Sequence, residues 1–310
     1  MKRVGLIGSP EAGEIRRLAM RLEERGAEGV VLDSGKDPAI TVSADGESAC
    51  GVNLRGFEGF YVADLGILPP LVYGDGGAVD AAASAAAGAA SRRHLAAWNT
   101  LLERLLTRCR VVNPPRTHDL HSLKPWEMTV YRRDDVPSPW TLATSDPASL
   151  AGLGEEPVTA WVRKGMVGGY GYTESFAVPA SEAAAADALA GGPCMVQERV
   201  QGDNVRAYVL GRKVIGAAEI VSAEGDETDS RRGDIRVRRI TLPEDAAGLA
   251  ARAAARWGLQ FAAVDFMVDA GSGRYSVLEC NSAPFFLSFE QQTGWDVSSR
   301  LADYLLGRPR

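Results

Sequence analysis

Cysteine, histidine and long apolar runs are scarce in this chain. The four cysteines, at positions 50, 109, 194 and 280, stand far apart with no C-x-x-C pair. That excludes a zinc knot readable from spacing and argues against a disulfide scaffold. Only three histidines occur in 310 residues. His118 and His121 could share a helix face, but no third His or Cys ligand stands near them. No stretch of 18 apolar residues is present, so no membrane partner is expected. The start, Met1-Lys2-Arg3 followed by VGLIGSP, reads as a first strand rather than a signal peptide. Long basic runs are absent and acidic residues outnumber basic ones 40 to 34, which argues against nucleic acid as a partner. No internal repeat is visible.

What remains is the composition of a folded cytoplasmic protein. A hydrophobic share of 45% with 34 glycines excludes disorder and fibrous classes. The length suggests about two domains, or one architecture with several lobes.

The chain reads as α/β first and antiparallel-rich α+β later. A strand at 3–8, an amphipathic helix from Glu11 to Arg25 and a strand at 29–32 form a parallel unit with a right-handed crossover. Gly8 and Ser9 sit at the strand's carboxyl end, where open α/β sheets place ligands. Gly5, Gly8 and Gly13 do not spell G-x-G-x-x-G. A hairpin is expected across Asp45-Gly46 and a strand at 57–62. The Gly- and Ala-rich segment 69–91 leads into a helix reaching about Cys109, and Val111-Val112-Asn113 reads as a strand stopped by proline. Beyond it the pattern predicts a helix over 117–133, an extended connection over 136–141 and a helix over 146–153. Strands at 157–164 and 172–178, a helix over 181–190 and strands at 194–200, 205–210 and 213–221 follow. After the charged stretch 224–234 come a helix over 243–257, strands at 260–268 and 274–280, and a last helix near 296–306.

Three constellations carry chemistry. Asp265 falls on one strand of a hairpin, and Glu279 and Asn281 on the other, two apart and so on one face. Oxygen ligands without His or Cys suit Mg²⁺, although a polar pair at a hairpin edge gives the same pattern. Alternation aims Cys280 at the opposite face, as a small buried hydrophobe. The second is the loop Gly165-Met-Val-Gly-Gly-Tyr-Gly171 after Arg163-Lys164. Its backbone N–H groups could wrap phosphates, with a lysine as point charge, or the loop could be merely flexible. The third is the strand Met195–Val200, with Gln197-Glu198 in its middle, followed by Gly202-Asp-Asn-Val-Arg206. It could hydrogen-bond an adenine edge and a ribose, or be an edge strand with a solvated Glu.

The order of these pieces is more specific than any one of them. The segments NPPRTHDLHSLKPWEM, VPSPWT, VRKGMVGGYGY, MVQERVQGDNVRAYVLG, AAVDFMV and VLECNSAPFFLSFEQQTGWDV resemble an ATP-grasp enzyme. They are most similar to RimK-like and glutathione-synthetase-like carboxylate–amine ligases. The resemblance runs in detail from about Val111 to Leu306 and is only general before it. It implies a three-lobed ATP-grasp architecture, α/β and α+β: an N-terminal parallel-sheet domain over 1–112, a small central subdomain over 113–192 and a C-terminal subdomain with the metal site over 193–310.

The resemblance also implies roles. Lys124 and Lys164 match lysines that reach the nucleotide phosphates, with Arg163 a competing register for the second. Gly168, Gly169 and Gly171 match the loop that folds over them. Gln197, Glu198 and Val200 match the strand that holds adenine, and Asp203 or Asn204 falls where the ribose is met. Asp265, Glu279 and Asn281 match ligands of Mg²⁺ (or Mn²⁺), and Arg206 the basic residue beside the transferred phosphate, where it and Lys164 are catalytic. The implied reaction is ADP-forming: ATP phosphorylates a carboxylate, an amine attacks the acylphosphate and phosphate leaves. The substrate is a small molecule, an amino acid or a peptide, and family members often assemble as dimers or tetramers. A small-molecule kinase or a non-catalytic nucleotide-binding protein is compatible with the same fold.

Two departures from the family pattern stand out. The loop 225–233 is unusually acidic around Arg231 and Arg232, and the 265–281 hairpin is two residues longer than expected. Ser9, Asp64 and the 69–91 segment are further candidates for substrate contact.

Overall fold

The computed structural model describes residues 1–35, 39–66, 81–167, 173–222 and 235–308. The chain divides into two compact units, one made of residues 1–115, 285–288 and 296–310, the other of 116–284 and 289–295.

The first unit begins with β1 (Lys2–Ile7), α1 (Gly13–Glu23) and β2 (Ala27–Leu32). A small antiparallel sheet of β3 (Thr41–Ser43), β4 (Gly46–Ala49) and β5 (Val52–Asn53) follows. The unit continues through β6 (Gly59–Val62), α2 (Ala81–Leu106) and β7 (Arg110–Val112). Its main sheet has the order β2-β1-β6-β7 with every pair parallel. Strands that feed a parallel sheet are covered on both faces and read as nearly continuous apolar runs. Phe60, Tyr61 and Val62 are accordingly all buried. Trp98, Leu101, Leu102 and Leu105 of α2 pack on Ile7, Phe60, Val62 and Val111. Helix α1 buries Ile15, Leu18 and Leu22.

In the second unit the expected helix over 117–133 is two elements, a 3₁₀ segment at Pro115–Ser122 and α3 (Lys124–Arg133). Pro125 explains the restart: it lacks an N–H and is tolerated only in the first helical turn. The extended connection ends in a strand, β8 (Thr141–Thr144), before α4 (Pro147–Ala151), β9 (Trp161–Lys164), β10 (Glu174–Phe176), α5 (Glu182–Ala188) and β11 (Cys194–Glu198). These strands form an antiparallel sheet of order β10-β9-β11-β8. Leu150, Leu153, Ala185, Trp161 and Val196 are its core.

The larger sheet, β14-β13-β12-β15-β16, is built from β12 (Gly202–Leu210), β13 (Lys213–Ser222), β14 (Ile235–Ile240), β15 (Phe261–Asp269) and β16 (Tyr275–Asn281). Strand β14 was not expected, because its arginines mask a period-two pattern in Ile-Arg-Val-Arg-Arg-Ile. One face packs on α6 (Glu244–Arg256) through Leu249, Ala250, Ala253 and Ala254, and on Met128 and Tyr131 of α3. Each large apolar side chain so buried contributes roughly 1.5–3 kcal/mol. Two helices follow, α7 (Leu287–Thr293) and α8 (Val297–Leu305), where the sequence suggested one. No described helix is long and apolar enough to cross a membrane.

Gly202 opens β12 at φ +156°, where an added Cβ would stand 1.8 Å from the Val268 carbonyl oxygen. That obstacle is backbone in a paired strand and cannot swing away. Gly202→Ala is therefore expected to cost about 2 kcal/mol or more, read as a lowered denaturation midpoint with an unchanged denaturant slope.

Candidate active site

Register places the candidate residues in a row. Arg206 on β12 lies opposite Asp265 on β15, and Asp265 opposite Glu279 on β16. Asn204 and Asn281 stand two residues along their strands and share that face. The alternating residues Val205, Ala207, Val264, Phe266 and Cys280 turn into the core on the other side. The polar row thus occupies the sheet face away from α6. A register slip between Asp265 and Phe266 skips Leu278, which restores the pairing of Asp265 with Glu279. The hairpin turn is locked by Asp269, whose Oδ1 accepts the Ser272 N–H at 2.7 Å.

Arg206 forks onto Asp265, with Nε 2.6 Å from Oδ1 and its terminal nitrogen 2.8 Å from Oδ2. The Asn281 amide lies 3.1 Å from Asp265 Oδ2 and 3.5 Å from Glu279 Oε1. Lys124, the first residue of α3, ion-pairs with Glu279. Burial pushes the Asp265 carboxyl up, and the forked Arg206 is the main force opposing that push. Arg206 is in turn held charged by Asp265. Burial also acts to raise Glu279, but the charges of Lys124, Lys164 and Arg206 together hold it below the usual range.

The second lysine sits at the end of β9. The charge of Lys164 reaches Glu279, whereas that of neighbouring Arg163 is felt at Cys194, on the buried side of the small sheet. On β11, Gln197 is buried and its Nε2 donates to Thr141 Oγ1 at 2.9 Å. Glu198 bonds Trp140 twice: its N–H donates to the Trp140 carbonyl at 2.8 Å, and its Oε2 accepts the Trp140 N–H at 3.1 Å. Its carboxylate is thus engaged with backbone rather than solvated. Val200 follows β11 and is half-buried. Asp203 is exposed, while Asn204 carries a buried Oδ1 with no hydrogen-bond partner. A buried acceptor left open costs free energy unless something else satisfies it, and this one shares the face of Arg206.

Gly168, Gly169 and Gly171, with Tyr170 and Tyr172, lie outside the described residues, as do 67–80 and the 223–234 loop. Ser9 and Asp64 cap local turns, Ser9 Oγ accepting the Glu11 N–H and Asp64 Oδ1 the Gly66 N–H. Among the described residues no cluster of three His, Cys, Asp or Glu side chains could hold a metal. In the set Asp265, Glu279 and Asn281 the third member is an amide, whose nitrogen donates to both carboxylates here and whose oxygen would take its place on a cation once the amide turns over. Two carboxylates on paired strand positions, with an amide in hydrogen-bond reach of both, are the hard donors that Mg²⁺ takes, together with waters and phosphate, so these residues fit the ion.

One buried group had no sequence signal. Glu127 of α3 is 1% exposed, and its Oε1 accepts the Tyr131 hydroxyl and the Cys280 N–H, each at 2.7 Å. Burial raises its pKa to about 8. A glutamate among Lys, Arg and Thr on a short helix reads as solvated. Only the i, i+3, i+7 alignment of Lys124, Glu127 and Tyr131 hints at a shared face.

Residues 185–305 match the model of the RimK-like ATP-grasp domain. A probable alpha-L-glutamate ligase of Picosynechococcus sp. is 32% identical over 114 residues, 36% of this chain and 37% of that protein. One from Chromohalobacter salexigens is 36% identical over 116 residues, again 36% and 37%. The chain thus aligns with little more than a third of the length of these curated relatives. Solved structures extend the likeness to the whole chain. The ATP-grasp ligase PsnB, complexed with a minimal precursor, superposes with a TM-score of 0.82 at 25% identity, covering 99% of both chains. The macrocyclase MdnC of Microcystis aeruginosa, bound with its precursor peptide, shares the fold with a TM-score of 0.76 at 18% identity, over 99% of this chain and 100% of that one. Residues 185–305 thus resemble the RimK-like ATP-grasp domain, and the chain as a whole has the fold of the ATP-grasp ligases.

Proposed function

We propose that this protein is an ATP- and Mg²⁺-dependent carboxylate–amine ligase that works through an acylphosphate and releases ADP and phosphate. The observation that carries the reading is the row Arg206, Asp265, Glu279 and Asn281, with Lys124 paired to Glu279. PsnB has been solved with Mg and ADP and with AMPPNP. That protein, at 25% identity over nearly the whole chain, supports the same cosubstrates here.

In this reading ATP lies along the polar face, with its adenine against Gln197, Glu198 and Val200 and its ribose near Asp203 or the open Asn204 Oδ1. Lys124 and Lys164 bind phosphate oxygens, joined by the 168–171 glycines. Mg²⁺ held by Asp265, Glu279 and Asn281 supplies neutralisation of charge developing on the phosphates. Arg206, placed by Asp265, orients the acyl oxygen and the transferred phosphoryl group. The glycine loop excludes water from an acylphosphate that would otherwise hydrolyse. The three lobes of the family correspond to 1–112, 113–192 and 193–310. The activated carboxylate belongs to a peptide, because PsnB, whose structures hold a precursor peptide, resembles this chain over its whole length. An enzyme of this kind acts in the cytoplasm, where ATP and Mg²⁺ are supplied.

The test is ATP turnover with candidate peptides, with and without hydroxylamine. A ligase yields ADP and, with hydroxylamine, a hydroxamate of the substrate carboxyl. ADP with phosphate transferred to a hydroxyl and no hydroxamate would replace the ligase by a kinase.

A further inference from the structure

Strand β16 is the edge of its sheet, with β15 on one side only. Its ladder is interrupted at Leu278 and resumes for just three pairs, Glu279 with Asp265, Cys280 with Val264 and Asn281 with Ala263. Two of those three residues are the proposed metal ligands of this strand. A short stretch beyond a bulge on an edge strand is weakly specified in position unless its outer side is also held. Here it is held twice from outside the sheet. The Val277 N–H donates to the Pro137 carbonyl at 2.7 Å. The Cys280 N–H, between Glu279 and Asn281, donates to Glu127 Oε1 at 2.7 Å.

Glu127 is itself fixed. The Tyr131 hydroxyl donates to the same oxygen at 2.7 Å and accepts from Trp257 Nε1 at 3.0 Å, so the residue following α6 braces the carboxyl of α3. One turn earlier on that helix, Lys124 ion-pairs with Glu279. Helix α3 therefore grips two consecutive residues of β16, one by side chain and one by backbone.

We propose that Glu127 is a positioning residue for the metal site: from the outer edge of β16 it clamps the Cys280 N–H so that Glu279 and Asn281 stand at a fixed distance from Asp265. The inference rests on the Mg²⁺·ATP reading above. A merely structural role predicts something different: an apolar residue in place of Glu127 strands the Cys280 N–H and the Tyr131 hydroxyl and lowers the melting temperature, without changing the Mn²⁺ affinity of the folded protein.

The test uses the full chain with Mn²⁺ as probe, titrated by electron paramagnetic resonance in the presence of ADP, alongside ADP binding without metal. Glu127→Gln keeps an acceptor oxygen for the Cys280 N–H, and its Mn²⁺ affinity is expected within threefold of wild type. Glu127→Leu fills the space without an acceptor and is expected to weaken Mn²⁺ at least tenfold, with metal-free ADP binding unchanged. Leu and wild-type chains of equal Mn²⁺ affinity would overturn the proposal, whatever the change in melting temperature. Should the Leu variant not fold, Tyr131→Phe, which frees the Glu127 carboxyl from one restraint, decides. A threefold or greater loss of Mn²⁺ affinity supports the clamp, and none overturns it. Failure of the wild type itself to bind Mn²⁺ with ADP would overturn the metal reading instead, and shows in the control rather than in the variants.

Discussion

Glu279→Gln is expected to leave the fold intact and lower ADP formation about a thousandfold, the scale of losing one preorganised electrostatic partner of a phosphoryl transfer. The side chain is one-quarter exposed and its partner Lys124 one-fifth, so neither is left stranded in the core by the change. Three positive groups, Lys124, Lys164 and Arg206, keep this carboxylate ionised. The amide preserves volume but removes the charge that both the cation and Lys124 require. Measuring ADP production against peptide, together with equilibrium ADP binding without metal, separates the two effects. Turnover within tenfold of wild type would remove Glu279 from the metal set. Loss of metal-free nucleotide binding as well would assign it to the adenosine half of the site.

Raising the pH from 5 to 8 should destabilise the wild type more than Glu127→Gln. The sign follows from where the proton sits. Below pH 4.5 the carboxyl is protonated in both folded and unfolded chains. Between 4.5 and about 8 the unfolded chain releases its proton while the folded chain, with Glu127 buried, keeps it. Unfolding then releases a proton, so each step upward in pH favours it. Above about pH 8 the folded form ionises too, and the loss stops growing. At about 1.4 kcal/mol per pKa unit, the full effect is on the order of 5 kcal/mol. The glutamine is an isostere of the neutral acid and carries no such dependence. Melting curves at pH 5, 6.5 and 8 should show the gap between the two proteins widening in favour of the variant by on the order of 10 °C. A constant gap would mean that Glu127 is ionised in the folded protein throughout.

The site was legible where it is written in strand alternation. Asp265, Glu279 and Asn281 share a face because the side-chain period of a strand is two, and the structure pairs Asp265 with Glu279 across the hairpin. Cys280 turns inward for the same reason. In the adjoining run, Phe285 is exposed and Phe286 fully buried. Helices with strong amphipathic stripes, α1 and α6, lie within two residues of their expected spans. Strands β8 and β14 were missed because proline in one case and arginine in the other obscure a short alternation, and neighbouring strands rather than local propensity decide such segments.

By itself, the sequence determined the order of most elements, the split into a parallel-sheet region and an antiparallel one, and the shared face of the oxygen groups Asp265, Glu279 and Asn281. Those features are local, since they follow from periodicity, turn residues and spacing along the chain. Tertiary structure alone decided which groups meet. Arg206 is 59 residues from Asp265, Lys124 lies in another element from Glu279, and Glu127 is 153 residues from Cys280. No pattern within a window encodes those pairings. They arise because burying α3 and α6 against one face of the sheet fixes which side chains stand beneath it, and antiparallel register fixes which stand side by side above.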